Sequence, residues 1–159
     1  MLRNLAVILS MLIFAVACQT KPVDVSGAGA AGESADGVVK PGTQQDLEAN
    51  VGDRVFFPFD KSNIDDQAKS TLDRQVAWLN ANPSVKLMVE GHADARGTRE
   101  YNLGLGERRA NNVKNYLTSA GIDSARLSTI SYGKERPAVL GEGEEVWRQN
   151  RRGVSVVQQ

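Results

Sequence analysis

The chain has 159 residues, with 19 Lys and Arg against 19 Asp and Glu, and 41% of them are hydrophobic. That fits one globular domain of ordinary size, and zero formal net charge argues against nucleic acid as a partner, which asks for a basic surplus. One Cys excludes an intrachain disulfide, and one His with one Cys excludes a His/Cys zinc cluster.

Met1 to Ala17 reads as an export signal. Arg3 and the free amine make a positive start, and Leu5 to Ala17 is apolar except for Ser10. Those thirteen residues would span about 20 Å as a helix, too short for a hydrocarbon core of about 30 Å. Ala15-Val16-Ala17 then leads into Cys18, with polar Gln19-Thr20-Lys21-Pro22 beyond it. This arrangement resembles the lipobox of bacterial lipoproteins, although Ala15 stands where Leu is preferred. The resemblance implies that Cys18 becomes a lipidated N-terminus, and several buried acyl CH₂ groups at about 0.8 kcal/mol each give stable attachment. Gln19 is not Asp, which by the same resemblance favours the outer membrane over the inner one.

Residues 18–49 read as the lipidated Cys followed by a flexible tether. The stretch is rich in Gly, Ala, Ser, Asp and Glu, has no aromatic residue and shows no period of 2 or 3.6. Some 32 residues reach about 110 Å fully extended and about 30 Å on average.

Residues 50–159 carry the pattern of a folded domain. Arg54 to Phe57 predicts a short strand ending before Pro58. Asn63 or Asp65 caps a predicted helix to about Asn80, with Ala68, Leu72, Val76 and Leu79 on one face and Trp78 beside it. Val85 to Glu90 alternates as a second strand. Gly91 to Thr98 reads as a loop. A long helix follows from about Glu100 to Ala120, its predicted inner face Leu103, Ala110, Val113 and Leu117, with Gly121 closing it. Leu127 to Tyr132 is a third strand and Gly133 to Gly143 a turn-rich loop. A short helix over Glu144 to Asn150 and a last strand over Gly153 to Val157 end the chain. The alternation predicts an α+β fold, with one sheet and helices packed on one face. The strands are too few and too short for a membrane barrel.

His92 has no nucleophile arrangement around it and reads as structural. Asp94 sits at the end of a strand. Arg109, fifteen residues on, adjoins the apolar stripe of the long helix and so needs a partner or a ligand. Spacing alone leaves three readings open for it: a salt bridge to Asp94, a salt bridge to Glu107, or ligand binding.

Several separate motifs resemble the OmpA-like peptidoglycan-binding domain family. They are Phe56-Phe57-Pro58-Phe59-Asp60 with Asn63-Ile64, Glu90 to Gly97, Tyr101-Asn102, Leu105 to Ala110, Tyr132 to Pro137, and Asn150-Arg151-Arg152. Ala93 departs from the Thr usual in the wider family, and Gly153 from the Ala usual in its lipoprotein branch. The resemblance implies a βαβαβ-type two-layer sandwich with a small mixed sheet, no cofactor and no catalysis. It implies that Asp94 and Arg109 hold the diaminopimelate of peptidoglycan stem peptides, Asp94 taking the ammonium and Arg109 the carboxylate. Asp60 is a further candidate for that pocket, Asn102 and Leu105 for its wall, and Arg151 and Arg152 for structural or rim contacts. It also implies Tol periplasmic proteins as partners and a role in envelope constriction at division. A related envelope lipoprotein outside the Tol system is the nearest competing reading. A flagellar stator would need a true transmembrane helix.

Overall fold

A computed structural model describes residues 39–158; the expected signal segment, Cys18 and the expected tether up to residue 38 lie outside it. Within the described residues, a helical turn already stands where the tether was expected. Thr43 accepts from the Asp46 N–H and starts α1 (Gln44–Asp46), which runs straight into a wide π turn over Leu47–Val51. Gly52, at φ 97°, closes that turn by donating to the Leu47 carbonyl. Leu47 has no exposed surface and belongs to the core, so the folded domain begins near Gly42 rather than at residue 50. Composition hid this segment because only Leu47 is fully buried, Val51 packs against the core in part, and the rest of its hold is polar.

Four strands and three longer helices follow. They are β1 (Arg54–Phe56), α2 (Asp66–Ala81), β2 (Lys86–His92), α3 (Arg99–Ser119), β3 (Leu127–Gly133), α4 (Glu144–Asn150) and β4 (Arg152–Gln158). Asp65 caps α2 through the Ala68 N–H, and Thr98 caps α3 through the Tyr101 N–H. Gly121, at φ 98°, ends α3 as its sequence position predicts.

The sheet order is β1-β4-β2-β3. β4 runs antiparallel to both neighbours, and β2 and β3 are parallel through the α3 crossover. The result is a small mixed sheet with α2 and α3 over one face, the α+β two-layer arrangement predicted. Val55, Leu87 and Val89 from the sheet meet Leu72, Leu79, Val113 and Leu117 from the helices in one core.

Three local expectations change. Leu103 is 49% exposed, not on the inner face of α3. β3 is an edge strand, so the helix overhangs the sheet at Leu103 and Leu105 is buried instead. Gln75 joins the buried face of α2, where Val76 packs against the core only in part; the Gln75 amide donates to the Gly52 carbonyl and accepts from the Ser155 hydroxyl. β2 continues through His92, which sequence had placed in the loop.

Candidate functional site

The sheet directions bring three chain segments to one end. β1 and β2 point the same way, because each is antiparallel to the β4 strand between them. The loop after β1, the loop after β2 and the start of β4 therefore meet. There they enclose a cavity of about 160 Å³. All five domain residues predicted for the site line it: Asp60, Asp94, Asn102, Leu105 and Arg109. Phe59, Arg96, Gly97 and Tyr101 complete it.

Arg109 reaches this cavity from α3 because the helix lies directly on the sheet. A Cβ on Gly91 would stand 1.8 Å from the Gly106 carbonyl oxygen, so only two glycines permit the approach. Arg109 is completely buried. Its Nε donates to the Lys61 carbonyl at 2.8 Å, Nη1 to His92 at 2.7 Å and Nη2 to Pro58 at 3.2 Å. Among the described residues no carboxylate lies within the 4.0 Å ion-pair distance of its guanidinium. Neither salt bridge that the sequence left open is formed. Burial pulls the Arg109 pKa down to about 10, against the opposing field of Asp94, and the group stays cationic at neutral pH. Three carbonyls use three of the five N–H donors of a guanidinium, which leaves two for a ligand.

Asp94 is in the opposite state. It accepts from the Arg96 N–H at 3.1 Å, Arg96 Nε at 3.2 Å, Arg96 Nη2 at 2.6 Å and Arg151 Nη1 at 3.3 Å. Those four bonds fill the roughly four acceptor positions of a carboxylate. Burial works to raise the Asp94 pKa, but the hydrogen bonds and charge of Arg96, with Arg151, outweigh it and hold it below the usual range. Arg96 is itself fixed between two rings, 3.9 Å over Phe59 and 4.1 Å over Trp147.

Asp60 has more capacity. The Tyr101 hydroxyl donates to it, and its backbone adopts φ 55°, a left-handed conformation that Asp tolerates. Asn102 donates to the Arg96 and Thr98 carbonyls and so shapes the loop, while Leu105 supplies an apolar wall. Arg151 is structural, tying Asp94, Glu144 and the Phe57 carbonyl together. Arg152 is also buried and donates to the Asn150 and Arg136 carbonyls. The cavity thus offers a buried cation with free donors, two carboxylates in the same lining and one apolar side.

The family model for the OmpA family matches residues 56–151. The peptidoglycan-associated lipoprotein of Agrobacterium fabrum is 47% identical over 156 residues, covering 98% of this chain and 88% of its own. That of Pasteurella multocida is 49% identical over 110 residues, 69% of this chain and 73% of its own. The chain belongs to the peptidoglycan-associated lipoproteins of the OmpA family. Among solved structures, the peptidoglycan-associated lipoprotein of Burkholderia pseudomallei superposes with a TM-score of 0.65 at 39% identity, over 67% of this chain and 90% of that one. The C-terminal domain of Helicobacter pylori MotB, at 21% identity and a TM-score of 0.63, shares the fold.

This lipoprotein family is non-enzymatic. Phe59, Arg96, Gly97 and Tyr101 were not among the side chains selected as site residues, although all four lie within the motifs that carry the family resemblance. Phe59 and Tyr101 adjoin the selected Asp60 and Asn102, and Arg96 and Gly97 follow Asp94 in the same loop. His92 is structural, as expected: its carbonyl holds Arg109, and its ring is 98% covered, with Nε2 3.3 Å from Glu90.

Proposed function

We propose that the cavity binds peptidoglycan by the free end of a diaminopimelate side chain, and that the chain ties the outer membrane to the cell wall. The observation that carries the reading is Arg109, a fully buried cation with free donors and no carboxylate partner among the described residues. A ligand carboxylate supplies the missing charge through a two-toothed hydrogen bond. The ammonium on the same carbon faces the acidic side of the cavity. Asp60 is the carboxylate with acceptor positions to spare, and contact with Asp94 entails displacing Arg96. Lysine carries the ammonium without that carboxylate, so the site discriminates by leaving Arg109 unpaired when lysine enters.

Cys18, lipidated after removal of residues 1–17, anchors the chain in the outer membrane, with the domain in the periplasm on its tether. Tol periplasmic proteins are the proposed partners in envelope constriction at division. The motif resemblance supports both points. Metabolic labelling with a fatty-acid probe tests the first, since label that persists in Cys18→Ser refutes it. Loss of the gene is expected to give leaky, chaining cells, and their absence refutes the second.

Sacculus pull-down tests the site. The Cys18→Ser chain is expected to sediment with diaminopimelate-type wall, to be competed off by free diaminopimelate and to ignore lysine. Undiminished binding by Arg109→Lys and Asp60→Asn would overturn the proposal.

A further inference from the structure

We infer that the segment Gly42–Val51 is a load-bearing clip, through which tension on the preceding chain enters β4 and α2 along the strand direction. The inference rests on the reading that the chain is anchored N-terminally and held at the cavity.

The clip and the cavity lie at opposite ends of β2. Gly42 packs beside Asn82 and Val85, immediately before Lys86, whereas Asp94 follows His92. Six residue steps of about 3.3 Å separate the ends of that strand, roughly 20 Å. A pull between them therefore runs parallel to the strands. The β4–β2 hydrogen bonds, from Lys86↔Gln158 to Gly91↔Gly153, lie across that pull and share it.

The clip is bonded to the elements that receive the load. The β1–β4 pairing ends at Arg54↔Val154, with one further backbone bond from the Ser155 N–H to the Asp53 carbonyl at 2.7 Å. Gln44 takes over there: its side-chain oxygen accepts from the Val157 N–H at 2.8 Å. The Asp46 carboxylate accepts from Trp78 Nε1 of α2 at 2.7 Å, from Asn50 at 2.8 Å and from the Gly42 N–H at 2.9 Å. Those bonds hold its pKa below the ordinary carboxylate range. Neither Gln44 nor Asp46 lines the cavity, so the binding site has no use for this polar bolt.

Single-molecule pulling on the full chain tests the inference. Cys18 is one handle. The second is a cysteine at the cavity end, Arg99→Cys, or at the clip end, Gln158→Cys; both positions are exposed. With the cavity-end handle the bonds are loaded together, and with the clip-end handle β4 peels off one bond at a time. The unfolding force is expected to be at least about twofold higher with the cavity-end handle. Asp46→Asn and Gln44→Ala are expected to lower that force more than a Val113→Ala change in α3 of equal or greater loss in urea stability. Equal forces in the two geometries, or clip variants no weaker than the α3 control, would overturn the inference. The assay contains no cell wall, so its failure leaves wall binding standing, and failure of wall binding leaves its forces unchanged.

Discussion

Gly91 and Gly106 touch where α3 crosses β2, and a Cβ on Gly91 would fall 1.8 Å from the Gly106 carbonyl oxygen. The obstacle is backbone, so no rotamer change relieves it. Gly91→Ala is expected to lose about 3 kcal/mol or more by overpacking. A Cβ on Gly106 meets the Ser131 hydroxyl at 2.4 Å, which can rotate, and the Gly91 carbonyl at 2.8 Å. Gly106→Ala is expected to cost less, about 1–3 kcal/mol. Urea unfolding of both variants checks the order.

Asp60 and Asp94 should separate binding from stability. Asp94 is buried against Arg151, so Asp94→Asn removes one of the two carboxylates on a buried guanidinium, leaving Glu144 alone, and is expected to cost about 3 kcal/mol. Asp60 is exposed, and Asp60→Asn is expected to stay within about 0.5 kcal/mol of the parent. Both should weaken sacculus binding. Paired melting and sedimentation measurements would show a binding loss without a stability loss for Asp60 alone.

Arg109→Lys keeps a positive charge but not the fork. An ammonium has three donors on one atom and cannot reach the Lys61, His92 and Pro58 carbonyls together with a ligand carboxylate. Wall affinity is expected to fall at least about tenfold, the equivalent of 1.4 kcal/mol. Retention on sacculi across a protein titration measures it.

His92 gives the domain an acid-sensitive range. Burial first, and then the Arg152 charge, lowers its pKa from 6.5 to about 4. Glu90, Tyr132, Arg136 and Arg152 surround the ring. The unfolded chain therefore binds the proton first. Its stabilising contribution is full above pH 6.5 and is lost as pH falls toward about 4, by an amount on the order of 1–3 kcal/mol. His92→Gln is expected to flatten stability over that window in chemical denaturation at stepped pH.

The N-terminal clip should matter to the domain even without load. Leu47→Ala removes a fully buried side chain and is expected to cost about 2–5 kcal/mol. A chain starting at Asn50 should lose at least as much. Equal midpoints for chains starting at residues 39 and 50 would show that the core closes without the segment.

Much of the fold was legible. Alternation marked β2 through Val85, Leu87 and Val89, the Asp65 cap marked the start of α2, and Gly121 marked the end of α3. Local rules reach these features because period, cap and turn lie within a few residues of one another. Leu103 was misplaced and Gln75 passed over because burial depends on what lies opposite a helix face, and sequence does not show that β3 is an edge or that Ser155 waits for an amide.

The site divides the same way. By itself, the sequence singled out Asp60, Asp94, Asn102, Leu105 and Arg109, through motifs in two loops and one helix, and the fold brings all five to one cavity. The sequence also showed that the balanced charge of 19 against 19 excludes no zwitterionic ligand. Only the tertiary structure decided who neutralises whom. Arg96 and Arg151 fill Asp94, and Arg109 is held by carbonyls from three places in the chain, with no counter-ion among the described residues. Charge pairing weakens with distance, and Asp94 and Arg151, 57 positions apart, come within pairing distance only when the sheet sets them there.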